Sequence, residues 1–325
     1  MHRDGEQNMT FNHILFPIDF SEHCRRLNPE VEWLASRFGS RVTLLHVFEI
    51  PISWYGTGES PLPDAAWFQT FVDLEKDQLK DYKLGIPENQ IQRVLLEGTA
   101  GWQITNWAKQ NKVDLIVMGS RGLGNVSGLL LGSVAAKVIH DTPCPVWTDS
   151  LRHSNRNGRQ RTYKNLVCAI DVADESIPLL KFTNTFAREL GATVHLVHGV
   201  PAAETRPSKY FDFDLHSYLT DSARVTISKL QREADTTFPL DIRACRIADA
   251  VSNAALEQNA DLIVIGAGRI REVFGRLRTH SYQIIRDAPC PVLSYLPGHE
   301  ATQFETHDRN MSLTNDEECS LQSVK

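Results

Sequence analysis

The chain has 325 residues, of which 42% are hydrophobic and 23% charged, and its formal net charge is −6 at pH 7. This length suits two domains of ordinary size, and the composition excludes a fibrous or a largely disordered protein. The pI near 6.1 argues against bulk electrostatic attraction to nucleic acid or to anionic lipid.

The sequence has no apolar run as long as a membrane span, and its first residues lack the hydrophobic core of a signal peptide. We therefore expect a cytoplasmic protein. The cysteines show no C-x-x-C spacing and mostly lie in apolar segments, which favours reduced, buried thiols over metal ligands. They are Cys24, Cys144, Cys168, Cys245, Cys290 and, in a polar segment, Cys319.

Residues 1–10 are polar and are expected to be flexible. The run His13–Phe20 that follows is apolar and carries Asp19 close to its end, which is typical of a buried parallel strand with a carboxylate at its tip. In open α/β sheets ligands lie beyond the carboxyl ends of the strands, so Asp19 is a candidate binding residue. The alternative is that Asp19 caps the helix that follows.

Apolar residues then recur with helical and strand spacing in alternation up to residue 148. Further strands are predicted at Val42–Phe48, Gln92–Leu96, Asp114–Met118 and Pro145–Thr148. Helices are predicted around four apolar sets: Leu27 to Phe38, with Gly39 as the stop signal; Trp67, Phe71 and Leu74; Ile104, Trp107 and Ala108; and Val134, Ala135, Val138 and Ile139. Five strands alternating with four helices predict a doubly wound, Rossmann-like α/β domain with a mainly parallel sheet.

A glycine-rich loop connects the strand at Asp114–Met118 to the last of these helices. Its glycines are Gly119, Gly122, Gly124, Gly128 and Gly132, and Ser133 follows directly. Glycine lets the backbone approach a ligand closely, and the first N–H groups of a helix point outward at the positive end of its dipole. Strand, loop and helix in this order predict a phosphate-binding site. The alternative is a glycine-rich surface loop without a ligand.

The spacing Gly119, two residues, Gly122, nine residues, Gly132-Ser133 resembles the nucleotide-binding signature of the universal stress protein family. The segment Asp141–Val146, DTPCPV, also resembles the last strand of that family. The resemblance implies an adenine nucleotide alpha hydrolase-like fold that binds ATP, with Mg²⁺ or Mn²⁺ bridging the phosphates.

By the same resemblance, ten residues are candidates for the nucleotide site. They are Pro17, Asp19, Val47, Met118, Gly119, Arg121, Gly122, Gly132, Ser133 and Val134. Pro17 and Asp19 are expected to meet the ribose and adenine, Val47 to flank the base, and Met118 and Gly119 to line the ribose side. The backbone of the later residues is expected to hold the phosphates, and Arg121 either pairs with a phosphate or faces water. A carboxylate suits the first role because it accepts hydrogen bonds from ribose hydroxyls or from the adenine amine.

The chain then repeats itself. Asp171 ends a segment like the one that ends at Asp19, residues 260–266 (ADLIVIG) match residues 113–119 (VDLIVMG), and residues 287–292 (DAPCPV) match Asp141–Val146. This duplication predicts two tandem domains of the same fold, at 11–149 and 163–297, each with five strands and about four helices. A polar segment at 150–162 is predicted to be a linker, and residues 298–325 a disordered tail.

The second copy has lost the glycine spacing. Arg269 takes the place of Gly122, and Arg278 and Thr279 take the places of Gly132 and Ser133. Arginine adds a Cβ where a phosphate needs close backbone approach, so the second domain is not expected to bind nucleotide in the same way. Its arginines either hold another anion through their side chains or form a solvated basic loop. These arginines are Arg269, Arg271, Arg276 and Arg278.

The strands around Val146 and Val292 are predicted to be sheet edges with unpaired backbone groups. The family resemblance implies that such strands pair, so we expect the two copies to meet there as a pseudo-dimer, and a homodimer of whole chains is left open. The expected partners are an adenine nucleotide and an unidentified protein. Neither nucleic acid nor a membrane is expected.

The leading interpretation is a tandem protein that binds ATP in its first domain and acts in the stress response as a nucleotide-dependent regulator. The loop has no Walker-type lysine and no obvious general base, so fast catalysis is not expected. The family resemblance implies at most slow ATP hydrolysis or autophosphorylation. The alternative is a dimerising adaptor of the same family that binds no nucleotide. An ATP pyrophosphatase would need a Ser-Gly-Gly loop after the first strand, and residues 16–24 lack one.

Overall fold

The computed structural model describes residues 9–49, 65–120, 131–149, 162–200, 211–266 and 276–296. The chain divides into two compact units. The first contains the described parts of 11–120 together with 133–144, and the second contains 9–10, 131–132 and the described parts of 145–296. The predicted flexible N-terminus (1–10), linker (150–162) and tail (298–325) lie almost entirely outside the described residues, and the predicted domain boundaries stay predictions.

The first unit alternates strands and helices along the chain. Its elements are β1 (His13–Ile18), α1 (Glu22–Arg25), α2 (Asn28–Phe38), β2 (Arg41–Phe48), α3 (Ala65–Asp81), a 3₁₀ turn (Glu88–Gln90), β3 (Ile91–Glu97), α4 (Ala100–Gln110), β4 (Leu115–Gly119) and α5 (Ser133–Asp141). The strands are parallel and lie in the order β3-β2-β1-β4. Strands β1 and β4 are buried over nearly their whole length. This agrees with their continuous apolar runs, which are typical of parallel strands covered on both faces.

The helices of this unit follow the predicted apolar faces with two exceptions. In α3 the predicted set faces outward, because Trp67 is 43% and Leu74 56% exposed, and the buried face carries Val72 and Leu79 instead. Ile104, Trp107 and Ala108 of α4 are buried as predicted. In α5, Ala135, Val138 and Ile139 are buried, but Val134 is 36% exposed, so its place on the inward stripe is wrong. The reason is angular, because at 100° per residue Val134 lies roughly 90° around the helix from the centre of the other three side chains.

The first strand of the second unit is the last strand of the first repeat. Its elements are β5 (Val146–Asp149), β6 (Asn165–Ala169), α6 (Ser176–Leu190), β7 (Thr193–Val200), α7 (Phe211–Glu233), β8 (Leu240–Ala244), α8 (Ile247–Glu257), β9 (Leu262–Gly266), α9 (Arg276–Asp287) and β10 (Val292–Tyr295). The strand order is β5-β10-β9-β6-β7-β8. In the described parts of each repeat there are five strands, and the predicted doubly wound α/β class is confirmed.

Strands β5 and β10 pair antiparallel, with Trp147 opposite Leu293 and Val292 opposite Thr148. The hydroxyl of Thr148 also donates to the carbonyl oxygen of Val292 at 3.2 Å. The pairing expected for the strands around Val146 and Val292 is therefore present. The remaining described strand pairs of this unit are parallel.

The described cysteines are free thiols, and all but Cys245 are buried. Burial raises the pKa of the Cys24, Cys144 and Cys168 thiols to about 12. These groups stay protonated near neutral pH and act as small apolar side chains, as predicted. Cys319 lies outside the described residues. Within the same part of the chain, none of the helices has both the length and the apolar character needed to cross a membrane.

Candidate functional site

The first unit reverses its strand order next to β1. The chain runs outward from β1 to β2 and β3, and then returns to the other side of β1 at β4. Connections leave a sheet in opposite directions at such a reversal, which opens a crevice at the carboxyl ends of the strands. Ile14 lies opposite Leu115 and Leu15 opposite Ile116, so β1 and β4 end at the same edge of the sheet. Residues that follow these two strands therefore lie at this edge.

Asp19 follows β1 at this edge and is half-buried. Its Oδ1 accepts a hydrogen bond from the backbone N–H of Ser21 at 3.0 Å. Ser21 is the residue that caps α1, because its hydroxyl accepts from the N–H of Cys24 at 3.1 Å. Asp19 therefore supports the turn before α1 without capping the helix. Its second oxygen, Oδ2, has no hydrogen-bond partner among the residues that the structure describes.

Phe20 continues this turn with a left-handed backbone, at φ 57°. Bulky residues rarely adopt this conformation, so the surrounding packing must hold it. The ring of Phe20 lies 4.4 Å from the ring of His46 and 6.3 Å from that of Tyr82, measured between centroids. These contacts fix the turn that carries Asp19.

His46, on β2, connects this turn to α3. Its Nδ1 lies 2.7 Å from the carbonyl oxygen of Ile18, which accepts only, so Nδ1 carries a proton. Its Nε2 lies 3.1 Å from Oε2 of Glu75, and the two side chains are 11% and 15% exposed. Both ring nitrogens thus lie within hydrogen-bond distance of an oxygen atom. The pair holds the carbonyl one residue before Asp19.

Glu75 is the residue near the site that sequence reasoning misses. It lies on α3 on the same face as the buried residues Val72 and Leu79. The sequence does place a carboxylate on an otherwise apolar helix face, and this pattern indicates a polar partner because a half-buried carboxylate needs one. The partner, His46, is separated from it by residues 50–64, which the structure does not describe.

The remaining strand-end candidates lie at the same edge. Pro17, in β1, is half-buried and accepts a weak hydrogen bond from the Cys24 thiol at 3.9 Å. Val47 is half-buried near the end of β2, opposite Leu96 of β3. The Met118 side chain is buried in the core, so a ligand would meet its backbone and that of Gly119, the half-buried last residue of β4.

The phosphate-side candidates form the start of α5. Gly132 directly precedes the helix, Ser133 is its first residue, and both Ser133 and Val134 are exposed. The N–H groups of the first turn of a helix have no intrahelical acceptors and are available to an anion. Helix α5 lies close to α4, since a Cβ added at Gly101 would be 3.2 Å from the Cβ of Lys137. Arg121 and Gly122 lie outside the described residues.

The second repeat differs at the matching edge. Asp171 is exposed, and its Oδ1 accepts from the N–H of the next residue, Val172, at 2.8 Å. Helix α9 begins at Arg276, so Arg278 and Thr279 lie inside its first turn, whereas Gly132 precedes α5. Arg269 and Arg271 lie outside the described residues, and both interpretations of the arginines stay predictions.

Comparison with known proteins gives one consistent result. The sequence model of the universal stress protein family matches residues 10–148 and again residues 162–295. A universal stress protein of Thermus aquaticus is 36% identical over 137 residues, which cover 42% of this chain and 96% of the relative. One from Synechocystis is 36% identical over 138 residues, covering 42% of this chain and 83% of the relative.

A solved structure extends the likeness of fold to both repeats. The universal stress protein from Archaeoglobus fulgidus DSM 4304 superposes with a TM-score of 0.62 at 18% identity, and the match covers 89% of this chain and 97% of that one. Because the family model matches twice and spans most of the sequence, the chain belongs to the universal stress protein family and carries its domain in tandem.

Proposed function

We propose that this protein binds ATP in its first repeat and acts in the stress response as a nucleotide-dependent regulator. Membership of the universal stress protein family supports the stress-response role. One observation carries the nucleotide proposal. At the reversal of strand order, Asp19 has a carboxylate oxygen without a partner among the described residues, while Gly132 and Ser133 open the first turn of α5 in the same repeat.

The polar groups of this edge match the parts of an adenine nucleotide. Oδ2 of Asp19 accepts a hydrogen bond from a ribose hydroxyl or from the adenine amine, while Oδ1 stays engaged with Ser21. Pro17 and Val47 supply apolar surface beside the base, and the backbone of Met118 and Gly119 lines the ribose side. The free N–H groups at the start of α5 face the phosphates, where the helix dipole adds about 0.3–1 kcal/mol per favourable charge.

A bound Mg²⁺ or Mn²⁺ would take most of its ligands from the phosphates and water. The described residues contain no cluster of three or more His, Cys, Asp or Glu side chains that could hold a metal ion. Mg²⁺ does not need such a cluster, because it keeps several waters and commonly takes few protein ligands beside substrate phosphates. The cation would neutralise phosphate charge.

The proposal concerns binding and signalling, with at most slow hydrolysis. Asp19 already uses Oδ1 to hold the turn, and the paired His46 faces an acceptor at each ring nitrogen. Neither group is placed as a free general base for an attacking water. Occupancy of the site would then serve as the signal.

Mass spectrometry of the ligand that purified, denatured protein releases is the first test. We expect an adenine nucleotide, and we expect protein stripped of nucleotide to bind a fluorescent ATP analogue that unlabelled ATP displaces. Absence of both signals would contradict the proposal and favour the adaptor that binds no nucleotide. The arginine replacements in the second repeat are the feature of this chain that favours a partly structural role.

A further inference from the structure

Helices α3 and α7 occupy matching places in the two repeats. Each connects the second and third strands of its repeat, β2 to β3 and β7 to β8. Their buried faces match as well. Val72 and Leu79 of α3 correspond in spacing to Ala223 and Leu230 of α7, and all four are buried. This correspondence allows their outer faces to be compared residue by residue.

Both outer faces expose apolar side chains at corresponding positions. Leu74 of α3 is 56% exposed, and Val225, its counterpart on α7, is 71% exposed. Seven residues earlier on each helix, Trp67 is 43% and Tyr218 is 69% exposed. Residues seven apart lie on one helix face, so each helix presents an apolar pair to solvent. Single exposed apolar residues are common, but the same pair on both helices is not explained by the fold of either repeat.

The charges beside these apolar pairs have opposite signs on the two helices. After Leu74 the same face of α3 carries Asp77 and Asp81, whereas after Val225 the same face of α7 carries Lys229 and Arg232. Asp77, Asp81 and Arg232 are exposed and make no ion pair within the described part of the chain. Lys229 lies 3.7 Å from Glu233, in a pair whose side chains are 69% and 46% exposed.

We propose that the outer face of α3 docks against the outer face of α7 of a second copy of this chain. With the two helices running in the same direction, Leu74 lies on Val225 and Trp67 beside Tyr218. In that register Asp77 lies next to Lys229, and Asp81 next to Arg232. Asp221, on the same face of α7, then lies beside Thr70, which is uncharged.

Charge decides which helices pair. Two α3 faces would bring aspartates together, and two α7 faces would bring basic side chains together, so both like pairings are disfavoured. Only the unlike pairing opposes acidic and basic groups at both positions. The proposed contact does not involve Asp19, Gly132 or the other candidates for the nucleotide site, and it does not depend on nucleotide binding.

The contact is small, and the charges lie at its rim. One helix pair buries less than the roughly 1,600 Å² of a standard protein interface. Rim charges mainly select partners and are screened by salt. We therefore expect weak self-association that salt weakens further. If the two chains close on each other, the contact occurs twice per dimer, and if they do not, further chains add in the same way.

Sedimentation velocity on two charge-reversed proteins tests the proposal. The first carries Asp77→Lys and Asp81→Lys, and the second carries Lys229→Glu and Arg232→Glu. Each alone should self-associate at least about tenfold more weakly than the unmodified chain, because α3 and α7 then carry like charges. An equimolar mixture should associate again, since α3 of each variant then faces an α7 of opposite charge.

A matched control separates this contact from a general effect of net charge. Glu97→Lys with Asp174→Lys changes the net charge by the same amount as the first variant, at exposed sites away from both helix faces. This control should associate as the unmodified chain does. The proposal is overturned if the unmodified chain stays monomeric at about 100 μM in low salt. It is also overturned if the reversed variants associate normally, or if their mixture does not recover.

Discussion

The two repeats hold the edge of their first strand in the same way but differ in the residues beside it. In the first repeat Nδ1 of His46 donates to the carbonyl of Ile18 at 2.7 Å, and in the second Nδ1 of His198 donates to that of Ile170 at 2.8 Å. An aspartate follows each carbonyl, Asp19 or Asp171. The histidine therefore belongs to the shared scaffold and does not distinguish a binding repeat from a non-binding one.

The two repeats differ in the residues that surround this histidine and aspartate. Asp19 is half-buried and turns Oδ1 to Ser21, whereas Asp171 is exposed and turns Oδ1 to its own neighbour, Val172. His46 has Glu75 as its second partner, and at the corresponding position of α7 stands Thr226, which donates to the backbone of its own helix at 3.0 Å. Duplication has thus kept the histidine and the aspartate in both repeats, while the burial and hydrogen-bond partners of the aspartate and the second partner of the histidine differ between them.

The largest effect is expected at the start of α5. Gly132→Val adds a branched side chain where the backbone is proposed to approach the phosphates, so ATP affinity should fall by at least about 100-fold. Thr279→Val, in the corresponding part of the second repeat, is the control and should leave affinity unchanged. Equilibrium titration with a fluorescent ATP analogue measures both. Equal affinities for Gly132→Val and the unmodified chain would remove α5 from the site.

Asp19 should have the next largest effect. Asp19→Asn keeps an oxygen for the Ser21 N–H but removes the negative charge and one acceptor, so ATP affinity should fall about tenfold. Asp171→Asn makes the same chemical change in the second repeat and should not alter ATP binding. If the two variants behave alike in the titration, the asymmetry between the aspartates has no bearing on the ligand.

The His46–Glu75 pair is present in the first repeat, and Thr226 stands in place of Glu75 in the second, so its contribution to the free energy of unfolding can be compared between the repeats. Glu75→Gln removes the carboxylate beside Nε2 of His46 in a largely buried setting, and the free energy of unfolding should fall by about 1–2 kcal/mol. Thr226→Val is the matched control on α7 and should change it by less than about 0.5 kcal/mol. Urea unfolding monitored by circular dichroism gives both values. A Glu75→Gln protein as stable as the unmodified chain would mean that the pair contributes nothing.

The last expected effect concerns the pH dependence of stability. Burial, with the nearby charge of Arg41, lowers the pKa of His13 to about 4, and the second repeat has Asn165 at the matching place. Between pH 4 and the unfolded value of about 6.5, the unfolded chain binds a proton at this histidine that the folded chain does not. This difference in proton binding makes the free energy of unfolding rise with pH between pH 4 and 6.5.

His13→Asn should therefore flatten the pH dependence of the urea midpoint between pH 4 and 6.5. The remaining dependence comes from groups that both proteins share, so the difference between the two curves isolates His13. Parallel curves would show that the protonation of His13 does not differ between the folded and unfolded states.

Most strands and helices of both repeats follow from apolar spacing, because a parallel strand covered on both faces is a continuous apolar run. Strand β8 (Leu240–Ala244) is the exception. It pairs with β7 and none of its residues is buried, so its sequence carries no such run. Apolar spacing also predicts that Val134 lies on the buried face of α5, but its side chain lies roughly 90° around the helix from the buried residues of that face.

The arrangement of the candidate site was predictable in part. The positions of Asp19, Gly119 and Ser133 follow from strand–loop–helix order, because the ends of parallel strands share one edge. The contact of His46 with Glu75 does not follow from local sequence, since it depends on how α3 lies over β2. The opposite charges on α3 and α7 are visible in the sequence, but their exposure is known only once both helices are packed.

The number of ATP molecules that one chain binds tests the central claim most directly. Isothermal titration of ATP into the full chain, stripped of nucleotide, should give one site per chain, and Gly132→Val should abolish it while Thr279→Val does not. Two sites per chain, or one site that persists in Gly132→Val, would contradict the assignment of nucleotide binding to the first repeat.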